Sequence, residues 1–205
     1  MPQSENARER TQYLVKLSIL AATLLFLEVS GIGYIRIPLI SMTIMQVPVI
    51  IGAILLGPAA GAILGAVFGL TSLWQAVSAK DPIGNALFGI NPLGLIVTAI
   101  PTRIMMGLLC GLVYRGLQRT LKDENLQFIL ASLSGALLNT LFFMSMFILF
   151  FFRTPIIQKI ASDIGTDDPI RFAVLIVGIQ GLVEAVICTV LGSAVTKAVS
   201  HYSRK

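Results

Sequence analysis

Arg103, Asn139 and Glu184 stand inside long apolar runs of the chain, where a charged or amide side chain has to be accounted for. Ionisable groups in such runs are costly and face a bundle interior or a cavity. A guanidinium, a carboxylate and an amide at one depth can satisfy one another, and a guanidinium can equally hold an anion. Their depths follow from spacing. Arg103 comes twelve positions after Asn91, Glu184 thirteen after Arg171, and Asn139 thirteen before Phe152. At 1.5 Å per residue each lies roughly 18–20 Å below the outer end of its helix, near mid-membrane. Two readings stay open. In one, Arg103 and Glu184 form a buried ion pair that locks two helices together. In the other, Arg103 sits at or near the floor of an outward-opening pocket and binds an anionic ligand, with Glu184 orienting it. Pro101 cannot donate to the carbonyl of Val97, so the backbone there can bend, either as a packing kink or to offer a polar group to a cavity.

Further polar residues converge on the same helices. Gln180 lies one turn above Glu184, and Asn91, Thr98 and Thr102 make a polar stripe on the helix of Arg103. Each suits interhelical bonding as well as ligand contact. Trp74 and Gln75 close the outer end of the third helix, where they could cap a ligand, or where the Trp could anchor at the interface. Chemistry beyond binding is sparse. The one histidine is His201, and no Cys/His/Asp cluster has the spacing of a metal site. There is no Gly-x-x-x-x-Gly-Lys-Ser/Thr phosphate loop and no Ser/His/Asp set. The reading is therefore of a non-enzyme without cofactor or metal, whose energy for any active transport comes from a gradient or a partner.

The elements that position these residues are membrane spans. Of the 205 residues 56% are hydrophobic and only 12% charged, about half the charge of an ordinary soluble domain. No charged residue occurs over 37–79, 82–102 or 125–152. The first run is long enough for two spans of about 20 residues, and Gly57-Pro58 supplies the turn between them. Helices are predicted near 12–29, 43–56, 59–78, 92–115, 126–152 and 172–197, with longer connections near 30–42, 79–91 and 153–171 on the outer face. The apolar stretch after Lys16 has no cleavage pattern behind it and counts as the first span rather than a secretory signal. Arg8, Arg10, Lys16, Arg115, Arg119, Lys122, Lys197, Arg204 and Lys205 share one side, against Arg36, Lys80, Arg153, Lys159 and Arg171 opposite. The positive-inside rule then makes both termini cytoplasmic. The expectation is an all-α, six-span bundle forming a single domain over residues 1–205. The net charge of +5 is explained by helix ends and gives no nucleic-acid surface. Cys110 and Cys188 read as small packing residues. Gly57, Gly61, Gly65 and Gly69 recur at every fourth position and predict close helix packing, while Ser18-xxx-Ala22 offers a smooth face to another membrane subunit.

Several runs together resemble a known family. They are Val47-Pro48-Val49-Ile50-Ile51-Gly52-Ala53 leading to Leu56-Gly57-Pro58, Gly61-Ala62-Ile63-Leu64-Gly65, and Phe68-Gly69-Leu70-Thr71-Ser72-Leu73. Asn91-Pro92, Pro101-Thr102-Arg103 followed by Gly107, Asn139-Thr140 and Gly181-Leu182-Val183-Glu184-Ala185 complete the set. Over nearly the whole chain this is similar to the S components, the substrate-binding membrane subunits, of energy-coupling factor (ECF) vitamin transporters, and most similar to the pantothenate type. The resemblance implies a multi-pass protein of the bacterial cell membrane that captures a vitamin from outside under closing outer loops. It implies as partners a transmembrane T component and two cytoplasmic ATPases, whose cycle topples the S component in the bilayer. It also implies a T-component contact at an Ala-xxx-Ala pattern, for which Ser18 and Ala22 are the nearest match. Pantothenate offers a carboxylate, an amide, two hydroxyls and a dimethyl group, which suit one buried arginine, several amides and flanking aromatics. Folate or another vitamin, and a stand-alone secondary transporter with Arg103 and Glu184 in an ion relay, are the alternatives. An intramembrane enzyme ranks below these for want of a nucleophile and base.

Overall fold

Prolines start most of the helices, because the first helical position needs no N–H donor and its fixed φ suits the helix. The computed structural model describes the backbone of residues 2–37 and 40–203, and their side chains except at 2–6, 35–37, 40–42, 179, 180, 202 and 203. In chain order the elements are α1 (Pro2–Ser30), β1 (Tyr34–Ile37), β2 (Ile40–Thr43), α2 (Gln46–Leu55), α3 (Pro58–Val77), α4 (Pro82–Ile90), α5 (Pro92–Ala99), α6 (Pro101–Thr120), α7 (Glu124–Phe151), α8 (Pro155–Asp163) and α9 (Pro169–Ser203). Five stretches are long and apolar enough to cross a membrane: Ala7–Ser30, Pro58–Val77, Pro92–Thr120, Glu124–Phe151 and Gly181–His201. Their outward faces carry exposed Leu, Ile, Val and Phe, among them Ile19, Phe26, Leu70, Leu141 and Val186. Such a surface is at home in acyl chains and not in water.

The structure corrects the predicted elements in five places. The second helix is shorter than 43–56, because Thr43 is taken into β2. The ten residues of α2 rise only about 15 Å, half a hydrocarbon core. It is buried along almost its whole length, so its helical period is invisible in an unbroken apolar run. The helix predicted over 92–115 is two helices, parted at Ile100 where Pro101 interrupts the bonding. The three connections read as loops hold structure: an antiparallel hairpin pairing Tyr34 with Thr43 and Ile37 with Ile40, and the helices α4 and α8. Phe151 at the end of α7 is wholly buried, and Phe152 meets Phe172 edge to face at 5.6 Å. These rings therefore pack under α8.

The glycine repeat does pack the bundle. A Cβ added at Gly61 would strike the carbonyl of Gly107, and one at Gly65 the carbonyl of Arg103. At Gly69 it would come within 2.7 Å of the Ile100 Cα. Thus α3 lies directly against the backbone of α6 and the end of α5, which sets Arg103 beside Phe68 and Ser72 with no play between the helices. Gly57, at φ 96°, makes the reversal from α2 to α3 that a Cβ would strain. Cys110 and Cys188 are buried free thiols.

Candidate functional site

A cavity of about 510 Å³ opens between α3, α5, α6, α7 and α9 at the end of the bundle where the hairpin, α4 and α8 gather. Its polar wall carries Tyr34, Thr43, Ser72, Gln75, Asp81, Thr98, Arg103, Asn139, Thr140 and Glu184. Its apolar wall is built by Phe68, Leu87, Leu95, Phe143, Met144, Phe147, Ile157 and Phe172. The volume is that of a small-molecule site, and the mix of apolar lining with a few convergent polar groups is what such sites use.

Arg103 reaches this wall because a helical side chain leans back toward its own N-terminus. Its Nη1 donates to the carbonyl of Thr98 at 2.7 Å and to Thr102 Oγ1 at 3.3 Å, and its Nη2 to Ser72 Oγ at 3.4 Å. The guanidinium carbon lies 4.6 Å from the Phe143 ring centre and 5.2 Å from that of Phe68. Two aromatic faces thus supply part of what hydration would give the cation. The Nε–H is buried without a partner. The Thr98 carbonyl is available because the helix breaks at Ile100, and it also accepts from Thr102 Oγ1 at 2.5 Å. The backbone group that the arginine uses is thus the carbonyl of Thr98 and not that of Val97, the one expected to be freed by Pro101.

No carboxylate bonds to Arg103 among the described residues, so the locking ion pair with Glu184 is not what the structure contains. Glu184 Oε1 instead accepts from the backbone N–H of Thr43 at 2.8 Å, tying α9 to the end of β2. Asn139 is buried on α7 in the same wall. The three residues placed at one depth by spacing thus line one cavity from three helices.

The other expected residues divide. Gln75 is buried in the cavity wall, and its Nε2 donates to Glu28 Oε2 at 2.8 Å. Trp74, one residue earlier, is 60% exposed on the outside of α3 and does not reach the cavity. Successive helical residues differ by about 100° in direction, so the two cannot share a face. Asn91 caps α5, its Oδ1 accepting from Gly94 N at 2.9 Å, and it too stands outside the cavity wall. The side chain of Gln180 lies outside the described residues, as do those of Arg36, Arg204 and Lys205. Ser18 and Ala22 are exposed on α1, in a shallow groove shared with Thr11, Leu14, Val15 and Ile19.

Two residues absent from the sequence reading stand in or behind the wall, Tyr34 in it and Glu28 behind Gln75. Tyr34 comes from β1, and its hydroxyl is buried with no hydrogen-bond partner. Burial pushes its phenol up from the ordinary range, opposed by Ser72 and the Arg103 charge. Glu28, near the end of α1, is buried with Oε1 unpartnered. Its position at the close of an apolar run signalled only the end of a span. Among the described residues no group of three His, Cys, Asp or Glu side chains is placed to hold a metal ion.

Residues 12–195 match the family model described as ECF transporter, substrate-specific component. The chain is 35% identical over 144 residues to the pantothenate transporter PanT of Leuconostoc mesenteroides subsp. mesenteroides, covering 65% of this chain and 67% of that protein. It is 29% identical over 167 residues to the pantothenic acid transporter PanT of Lactococcus lactis subsp. cremoris, covering 77% of each.

Proposed function

This chain belongs to the substrate-specific components of ECF transporters, and on that premise we propose that its cavity captures pantothenate for uptake across the plasma membrane. It is a transport subunit and not an enzyme. The observation that carries the ligand reading is the state of Arg103: a buried cation stacked between Phe68 and Phe143, fixed by Thr98, Thr102 and Ser72, with its Nε–H unpartnered at a cavity wall. A carboxylate entering beside it, with a small shift that uncovers the buried Nε–H, completes the donor set. Asn139, Gln75 and Glu184 supply amide and carboxylate groups for the ligand's amide and hydroxyls, and Phe143, Met144 and Phe147 face its dimethyl group. The two relatives named as pantothenate transporters favour this vitamin over folate.

The bundle counts six spans when the short α2 is taken as the second, and both termini lie in the cytoplasm. What supports this is the basic excess of Arg8, Arg10, Lys16, Arg115, Arg119, Lys122 and Lys197 at one end of the spans. The cavity then opens outward. Release to the inside is assigned to a T component and two cytoplasmic ATPases; membership of the ECF family supports this, and the chain's lack of a phosphate loop agrees with it. The exposed small residues Ser18 and Ala22 mark the face of α1 that suits a second membrane subunit. Reconstitution in lipid vesicles tests the assignment. Pantothenate uptake should require the T component, the ATPases and ATP, and folate should not compete. Uptake by the chain alone, driven by an ion gradient, would replace this function with that of a secondary transporter.

A further inference from the structure

We propose that Tyr34, on β1, is a second donor to the ligand's carboxylate, forming with the Nε–H of Arg103 a two-point anion subsite. The inference rests on the pantothenate reading above and adds a residue from outside the helices to it. Two buried donors without partners, the Tyr34 hydroxyl and the Arg103 Nε–H, stand on different elements of one cavity wall. A guanidinium can only donate, and a phenol that keeps its proton donates as well, so the pair is matched to an acceptor that carries negative charge. Ser72 touches both: its hydroxyl accepts from Arg103 Nη2, and it and Thr71 lie in polar contact with the Tyr34 phenol, which makes no well-aligned hydrogen bond to either. A phenol keeps its proton at neutral pH in any case, and burial pushes its titration further up.

Glu28 is the competing acceptor. Its Oε2 is held by Gln75 and its Oε1 has no partner, so a bridging arrangement could direct the Tyr34 hydroxyl to α1 instead of to a ligand. The two uses differ in what they do to ligand choice. A phenol serving Glu28 steadies the wall for any ligand, whereas a phenol serving a carboxylate discriminates between ligands with and without one.

The test uses the full chain purified in detergent, titrated with pantothenate and with pantothenol, in which a primary alcohol replaces the carboxylate. Tyr34→Phe keeps the ring, and an unchanged melting temperature shows that the wall is intact. Expected is a loss of roughly 10- to 100-fold in pantothenate affinity with pantothenol affinity held within about twofold. Glu28→Gln should weaken the two ligands equally or not at all. Equal losses for both ligands in Tyr34→Phe, or no loss for either, would overturn the subsite. Wild-type protein that binds no pantothenate would instead overturn the ligand reading on which it rests.

Discussion

Replacing Arg103 by Met removes the charge and keeps most of the stem volume, which makes it the sharpest probe of the cavity. Arg103 is only 7% exposed, and its held donors, Nη1 and Nη2, already serve Thr98, Thr102 and Ser72. A ligand carboxylate paired with it is therefore desolvated, and truncating one partner of such a pair costs about 2–5 kcal/mol. That corresponds to roughly 30- to 5,000-fold in affinity. The lower part of this range is expected, since two of the three nitrogens are engaged before the ligand arrives. Stability should not fall in parallel, because an apolar side chain between Phe68 and Phe143 removes the cost of burying a cation. Isothermal titration in detergent reads the affinity, and a thermal melt reads the fold. A folded Arg103→Met protein that binds pantothenate as wild type does would show that the arginine only braces the break at Pro101.

Phe143→Leu takes one aromatic face from the guanidinium at 4.6 Å and should weaken pantothenate by several-fold, about 0.5–2 kcal/mol, in the same titration. Gly65→Ala drives a methyl into the carbonyl of Arg103 and should cost about 1–3 kcal/mol of stability, seen as a lowered melting temperature together with weaker binding. Gly116→Ala on the same α6 meets nothing within 4 Å and should be neutral or stabilising by about 0.5–1 kcal/mol. A Gly65→Ala protein as stable as Gly116→Ala would contradict the backbone contact between α3 and α6.

The depth of the polar residues was legible because helical rise is nearly invariant: counting from helix ends brought Arg103, Asn139 and Glu184 to one level, and all three line one cavity. A bend at Pro101 was legible from its missing N–H, but the full division of the predicted helix at Ile100 was not, since a proline can kink a membrane helix without ending it. Partner choice was not legible either. An ion pair between Arg103 and Glu184 satisfies the sequence as well as the observed arrangement does, in which Arg103 takes the Thr98 carbonyl and Glu184 the Thr43 N–H. Deciding between them needs the rotation of each helix, which an apolar run does not encode. Asn91 before Pro92 is a helix start as much as a polar stripe, and its oxygen caps Gly94. Tyr34 escaped notice because a four-residue strand in a connection has too few positions to show a period.

The central claim is that this cavity selects pantothenate, and equilibrium binding of tritiated pantothenate to the purified full-length chain tests it most directly. One saturable site per chain is expected, displaced by unlabelled pantothenate and untouched by folate. Absence of saturable pantothenate binding in a folded protein, or displacement by folate at equal concentration, would contradict it.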